Sequence, residues 1–134
     1  MISKLQKLEK TINSELSTKV QNSSIQNDEL LIEVKENDIL DVIQFIKSNE
    51  NLKFKQLIDI AGVDYPENKK RFELVYLLLS HENNLRIKVL IRFQIDQSIC
   101  SLTKIFPSAN WMEREVFDMY GIKFKNHPDL RRIL

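Results

Sequence analysis

Residues 72–93 have the sequence FELVYLLLSHENNLRIKVLIRF, in which two apolar arms, 72–80 and 85–93, flank the polar connection His81-Glu82-Asn83-Asn84. This pattern predicts a β-hairpin. In the second arm, apolar residues alternate with Arg86, Lys88 and Arg92, and only Leu90 breaks the alternation. One face of the hairpin is therefore expected to be buried and the other largely solvated. The hairpin predicts an antiparallel sheet with helices on one side.

Apolar periodicity predicts two helices and two more strands before this hairpin. Ile2, Leu5, Leu8, Ile12 and Leu16 recur at near-helical spacing and predict an amphipathic helix over residues 2–16. A second helix is expected to begin at the cap residue Asp38 and to place Ile39, Val42, Ile43 and Ile46 on one face. Strand composition is found at 30–34 and 57–63. The polar segments 21–24 and 26–28 are typical of a loop, and residues 64–68 are typical of a turn. The prediction is an α+β fold, a single domain over residues 1–134 with a mainly antiparallel four-stranded sheet and helices packed on it.

Composition excludes several classes of function. The chain has 134 residues, of which 43% are hydrophobic and 29% charged, and this is typical of one soluble globular domain. Its net charge of +1 provides no field that would attract nucleic acid or an anionic membrane. The N-terminus is interrupted by charge too often for a secretion signal, and no apolar run approaches the roughly 18 to 20 residues that span a bilayer. Any membrane connection is therefore expected to be made through partners.

The chemistry of cofactor sites is also missing from the sequence. Gly62 and Gly121 are its only glycines, so it has no Gly-rich loop for a nucleotide phosphate. Cys100 is the only cysteine, which excludes the several thiolates of an iron–sulfur cluster or a structural zinc site. Cys100 is expected to be a small buried side chain, His81 a solvated loop residue and the basic run 69–71 a solvated strand start. No cofactor or nucleic acid is expected on this chain.

The most distinctive segment is ANWMEREVFDMYG, residues 109–121, which predicts a short helix. At 100° per residue, one face carries Trp111, Arg114, Glu115 and Asp118, and the other carries Met112, Val116, Met119 and Tyr120. Glu113 lies toward the apolar side, and we interpret it as the partner of an N-cap Asn110 in a capping box. Gly121 is expected to supply the left-handed residue that ends the helix.

Two interpretations of the charged face remain open from the residues alone. The Arg114–Asp118 pair, four residues apart, is typical of a solvated helix face. Trp111 in the middle of the same face is typical of an interface hot spot. A divalent-metal site built from Glu115, Asp118 and His127 is less favoured because no ligand motif matches that spacing. The tail 129–134 is either a solvated end or a strip that docks on a partner.

At these residues the sequence resembles the 30 kDa subunit family of the proton-translocating NADH:quinone oxidoreductase, respiratory complex I. The resemblance is to the bacterial counterpart of the mitochondrial subunit. The resemblance covers the run 111–121, Phe124 and the tail 127–134 nearly residue for residue. Weaker similarity extends upstream to Asp64, Phe72-Glu73-Leu74 and Tyr76. By this resemblance the following positions are motif residues that order the fold or contact neighbouring subunits: Trp111, Glu113, Arg114, Glu115, Asp118, Gly121, His127, Pro128, Arg131 and Arg132.

The resemblance implies that the chain is a subunit of an oxidoreductase and that this subunit has no catalytic residues of its own. FMN and iron–sulfur clusters are then expected in partner subunits, and this chain is expected to support the subunit that helps form the quinone site. Its expected location is peripheral, on the cytoplasmic side of the bacterial inner membrane, or alternatively on the matrix side of the mitochondrial inner membrane. The alternative function is the equivalent subunit of a related membrane-bound hydrogenase or of another quinone- or ferredoxin-linked dehydrogenase. Family members usually continue with a further segment rich in Gly-His-Pro and basic residues, so the chain, ending at Leu134, is expected to lack that extension.

Overall fold

The computed structural model of the chain describes residues 2–128. Its helices are α1 (Lys4–Glu15), α2 (Ile39–Ser48) and α3 (Ala109–Tyr120), with a short 3-10 turn, Glu36–Asp38, before α2. Its strands are β1 (Val20–Gln26), β2 (Glu29–Val34), β3 (Gln56–Asp64), β4 (Phe72–Ser80), β5 (Leu85–Phe93), β6 (Ile99–Cys100) and β7 (Phe124–Lys125). The α+β class predicted from the sequence is confirmed.

Five of these strands form one mixed sheet in the order β1-β2-β5-β4-β3. The β2–β5 pair is parallel, and the other neighbouring pairs are antiparallel. The prediction of a four-stranded sheet is therefore wrong, because it omitted β1. Nor did the sequence indicate the parallel pair, since alternation of apolar residues has the same period whichever way the neighbouring strand runs. A second, two-stranded sheet pairs β6 with β7 in parallel.

Strand β1 lies where the sequence predicted a loop. Its polar side chains bond to α1: the Ser23 hydroxyl donates to Glu9 at 2.7 Å, and the Asn13 amide donates to Ser23 at 3.1 Å. The turn into β2 is formed by Asn27 and Asp28, with φ of 52° and 60°, as a two-residue hairpin turn requires. An edge strand with so few apolar residues leaves little periodicity to detect, and only the turn residues signalled it.

Helix α1 confirms the amphipathic prediction for the N-terminus. It begins with a capping box in which Ser3 and Gln6 bond to each other's backbone N–H. Leu8, Ile12 and Leu16 are buried, whereas Ile2, at the start of the predicted stripe, is exposed. The stripe therefore packs on this domain's own core, beside β1 and β2.

Helix α2 is also confirmed, with one correction at its start. Its four predicted apolar residues are all buried. Asp38 occupies the N-cap position, but its side chain makes no capping hydrogen bond. Its carboxylate instead lies 3.5 Å from the ammonium of Lys19. The backbone of Asp38, with φ of −101° and ψ of 0°, is not in the extended conformation that an N-cap residue usually adopts.

The central hairpin has one buried face and one polar face, as predicted. Inward-facing Leu74, Tyr76 and Ile87 are fully buried. On the outer face, Arg92 Nε lies 3.1 Å from Glu73, and Lys88 Nζ lies 3.2 Å from Glu29. The core lies on the inner face of the sheet, where α3 packs against β3 at one end.

Candidate functional site

Helix α3 begins at Ala109, before the predicted cap residue. Ser108 stands at the N-cap position and makes no side-chain capping bond. The side-chain oxygen of Asn110 is buried and has no hydrogen-bond partner among the described residues. The predicted capping box between Asn110 and Glu113 is therefore wrong.

Glu113 is fully buried and binds the segment that follows β6. The Ser101 hydroxyl donates to one carboxylate oxygen at 2.6 Å, and the backbone N–H of Leu102 donates to the other at 2.8 Å. Glu113 therefore joins α3 to the residues after β6 instead of closing the helix's own first turn. Its position on the apolar side of the helical wheel was the signal of this role, because a buried carboxylate requires donors.

His127, which follows β7, lies against the same carboxylate. Its side chain is fully buried, and Nε2 lies 3.8 Å from Glu113 Oε1 and 3.1 Å from the backbone oxygen of Asn110. Pro128 follows on the surface. Two predicted motif residues, Glu113 and His127, are thus brought together, while Arg131 and Arg132 lie outside the described residues.

Burial raises the pKa of Glu113 above its ordinary value of 4.5, and the hydrogen bonds from Ser101 and Leu102 and the neighbouring His127 act in the opposite direction. The native state therefore holds this proton more tightly than the unfolded chain. The resulting stabilisation is complete below pH 4.5 and is lost as the pH rises through the raised native pKa.

We expect wild type to gain stability relative to Glu113→Gln as the pH falls from neutral toward 4.5, because glutamine cannot take up a proton. Denaturant unfolding of both proteins across that range measures the difference. A difference that does not change with pH would contradict the raised pKa.

Tyr76 is a second buried polar residue near this cluster, and only the family resemblance singled it out from the sequence. Its hydroxyl is buried and has no hydrogen-bond partner among the described residues. Burial, followed by the charge of Glu113, raises its pKa well above 10.0. Tyr76 therefore stays neutral, and its ring fills part of the core.

The charged face of α3 is largely turned to the surface, as predicted. Trp111 is 52% exposed, and the Arg114 guanidinium lies 5.4 Å from its ring centroid. Arg114 is half-buried, and its Nε has no hydrogen-bond partner among the described residues. Glu115 is exposed and Asp118 half-buried on the same face. The structure thus presents a large aromatic ring with a cation stacked on it.

The apolar face of α3 is only partly buried. Val116 is buried, and Met112 and Tyr120 pack against the core. Met119 was predicted on the core side, but it is 73% exposed and lies at the surface beside β3, the edge strand of the sheet. Tyr120 instead makes the contact there, donating its hydroxyl to the Gly62 carbonyl at 2.9 Å.

Gly121 ends the helix in the left-handed conformation, with φ of 74°, which confirms the predicted C-cap. A Cβ at this position would meet nothing within 4 Å. The requirement for glycine therefore comes from the backbone conformation alone.

Gly121→Val should destabilise the chain by about 1 to 2 kcal/mol, because a β-branched residue fits positive φ poorly. Gly121→Asn is the control, since asparagine tolerates this conformation better. Thermal unfolding measures both, and an unchanged melting temperature for the valine variant would contradict a conformational role.

The other sequence candidates lie apart from α3. His81 is exposed in the hairpin connection and contacts the side chain of Gln56. Arg71, at the end of the basic run, pairs with Asp64 at 2.6 Å. Cys100 lies half-buried in β6 rather than fully buried.

Within residues 2–128, no three or more His, Cys, Asp or Glu side chains form a group suited to a metal ion. His127 lies 3.8 Å from Glu113, an acid that the predicted metal site did not include. The same part of the chain has no helix of the length and apolarity that crossing a membrane requires.

The fold and the α3 site define a class of small α+β proteins in which a charged helix lies over one edge of a mixed sheet. The chain belongs to the family described as respiratory-chain NADH dehydrogenase, 30 Kd subunit, whose model matches residues 32–134. The match includes α3 and every predicted motif residue, so the resemblance stated from the sequence is confirmed.

Two curated relatives illustrate the similarity, and both are named as a subunit of NADH-quinone oxidoreductase. The protein of Chelativorans sp. (strain BNC1) is 47% identical over 123 residues, which cover 92% of this chain and 62% of the relative. The protein of Rhodospirillum rubrum is 44% identical over 133 residues, which cover 99% of this chain and 62% of the relative. The chain therefore spans about three fifths of the length of these relatives.

Two solved structures share the fold. One is described as Nqo5 of the trypsin-resistant fragment (1-134), with a TM-score of 0.78, 26% identity, and coverage of 92% of this chain and 98% of that one. The other belongs to the membrane-bound sulfane sulfur reductase, described as an archaeal respiratory membrane complex. It has a TM-score of 0.80, 25% identity, and coverage of 93% of this chain and 72% of that one.

Proposed function

We propose that the chain is a scaffold subunit, without catalytic residues of its own, in the peripheral arm of an NADH-quinone oxidoreductase. The observation that supports this most directly is the exposed Trp111 with Arg114 stacked on it, on a helix inside the family-matched segment. An aromatic ring and an arginine on one surface are the residue types that dominate binding energy at protein interfaces. In this role the chain supports electron transfer from NADH to quinone, and the coupled proton translocation, by positioning its neighbours.

The proposed partner is the subunit that helps form the quinone site. FMN and iron–sulfur clusters belong to other subunits in this proposal, and this chain binds none. The contacts of Glu113 and His127 suit a scaffold, because they hold α3, the segment after β6 and the residues just after β7 in one arrangement. A fixed surface loses less conformational entropy on binding than a mobile one. The proposed location is the cytoplasmic side of the bacterial inner membrane, or alternatively the mitochondrial matrix side.

Co-purification tests the proposal. A tagged chain of full family length should elute together with the quinone-site subunit when the two are produced in one cell. Elution of the tagged chain without that subunit, while the chain itself is folded, would refute the proposal.

A second candidate is the equivalent subunit of a related membrane-bound redox complex. The structural likeness to a protein of the archaeal sulfane sulfur reductase supports it. Identification of the subunits that co-purify with the tagged chain separates the two candidates, because only the first requires an NADH-oxidising module.

Arg114→Ala should weaken assembly at least about tenfold, or roughly 1.4 kcal/mol, and should destabilise the isolated fold by less than about 1 kcal/mol. The reason is that within the chain its guanidinium stacks on the exposed ring of Trp111, which is a weak contact. Titration of the wild-type and variant chains with the partner subunit, beside thermal unfolding of each, measures both effects. Arg86→Ala, which removes an exposed arginine on β5, is the matched control. Equal binding by Arg114→Ala and wild type would contradict the prediction.

A further inference from the structure

A groove of about 270 Å³ lies between α3 and β3. Strand β3 is an edge strand of the five-stranded sheet. One wall is the strand and the other is the second half of the helix. The lining residues used below are Asp59, Ile60, Gly62, Glu115, Met119 and Tyr120.

The backbone of β3 in this groove is partly occupied by the chain's own side chains. The N–H of Ile60 donates to the Asp59 carboxylate at 2.9 Å, and the Gly62 carbonyl accepts from the Tyr120 hydroxyl. A segment that added to this edge as a further strand would compete with both bonds. An occupant of the groove is therefore expected to bind through its side chains.

The groove combines negative charge with apolar surface. Asp59 and Glu115 are exposed, and neither forms an ion pair with another residue between 2 and 128. Val116, which also lines the groove, is buried, while Met119 is 73% exposed. Trp111, one helical turn before Glu115, is also exposed, and the Arg114 guanidinium lies over its ring. A partner segment that complements this surface would carry a cation flanked by apolar side chains.

We propose that this groove binds a segment of another subunit that presents a lysine or arginine between apolar residues. The proposal rests on the proposed function, since it names the surface by which a scaffold subunit meets its neighbour. A second copy of the chain fits the groove poorly. Two-fold pairing through it would bring Asp59 and Glu115 of one copy toward the same acids of the other.

Photo-crosslinking locates the occupant in the assembled complex. Met119 is replaced by a photoreactive residue in the tagged full-length chain, which its exposure permits, and the crosslinked peptide is identified by mass spectrometry. The expected product is a peptide of another subunit that contains a lysine or arginine beside apolar residues. Crosslinks only to a second copy, only to this chain's own residues 129–134, or to an acidic peptide would overturn the proposal, as would their absence.

Charge reversal provides an independent test with a matched control. Glu115→Lys should weaken binding to the neighbouring subunit about tenfold, because it places a cation opposite a cation. Glu15→Lys reverses an exposed helical glutamate on α1, away from the groove, and should bind as wild type does. Equal affinity of Glu115→Lys and Glu15→Lys would overturn the proposal.

The two levels of failure are distinguishable. Suppose that the tagged wild-type chain co-purifies with the complex, but position 119 gives no crosslink to another subunit and Glu115→Lys binds as wild type does. In that case the groove assignment alone is wrong. If the folded chain co-purifies with no other subunit, the proposed function is wrong and the groove assignment falls with it.

Discussion

Replacing Glu113 with alanine should lower the free energy of unfolding by about 3 to 4 kcal/mol, which is among the largest effects that a single substitution produces. The variant leaves the Ser101 hydroxyl and the Leu102 N–H without their acceptor inside the protein. It also removes the carboxylate that His127 faces and opens a cavity beneath α3. Urea unfolding of the chain, followed by circular dichroism, measures the loss.

The variant Glu113→Gln distinguishes the contribution of the hydrogen bonds to stability from the contribution of the side-chain volume. Glutamine keeps the size of glutamate and one acceptor oxygen, so its expected loss at neutral pH is about 1 kcal/mol. Ser101→Ala removes a single donor and should likewise lower the free energy of unfolding by less than Glu113→Ala does. If alanine and glutamine at position 113 were equally destabilising, the hydrogen-bond explanation would be wrong.

Gly62→Val should destabilise the chain by about 2 to 3 kcal/mol through overpacking. A Cβ at position 62 would lie 2.7 Å and 3.0 Å from two ring carbons of Tyr120. That ring also packs edge-on against Phe72, with centroids 6.3 Å apart. It therefore cannot move aside without losing this contact and its hydrogen bond to the Gly62 carbonyl. Thermal and urea unfolding of the variant measure the effect.

Two further variants test the reason for that loss. Tyr120→Phe removes only the hydroxyl and should lower stability by about 1 kcal/mol. In Tyr120→Ala the ring is absent, so adding Gly62→Val to that background should have a much smaller effect than in wild type. A valine effect of the same size in both backgrounds would show that the clash with Tyr120 is not its cause.

Several features were predictable because their signals are local. The hairpin of β4 and β5 combines alternating residues with a polar connection, and both its pairing and its two faces follow from that pattern. Gly121 stands where the helical pattern ends, which is sufficient to predict its left-handed conformation. The exposed position of Trp111 followed from the helical wheel, and the family followed from the sequence of α3 and the tail.

The features that were missed depend on contacts between distant segments. The sequence predicts a capping box for Glu113 because Asn110 precedes it by three residues, yet its actual donors come from the segment after β6. Strand β1 is specified by its turn and by bonds to α1 rather than by apolar periodicity. Met119 falls on the apolar side of the wheel, but only the placement of α3 at the sheet edge decides that it remains exposed.

The parallel pairing of β2 with β5 has a consequence for the folding pathway. It joins Leu30 to Ile87, whereas the other pairs of the sheet join strands adjacent in sequence. Bringing such distant segments together carries the largest loop-closure entropy in the sheet. We therefore expect the hairpins of β3, β4 and β5 to form first and the N-terminal unit of α1, β1 and β2 to join late. Substitutions along the β2–β5 seam should then accelerate unfolding more than they slow folding.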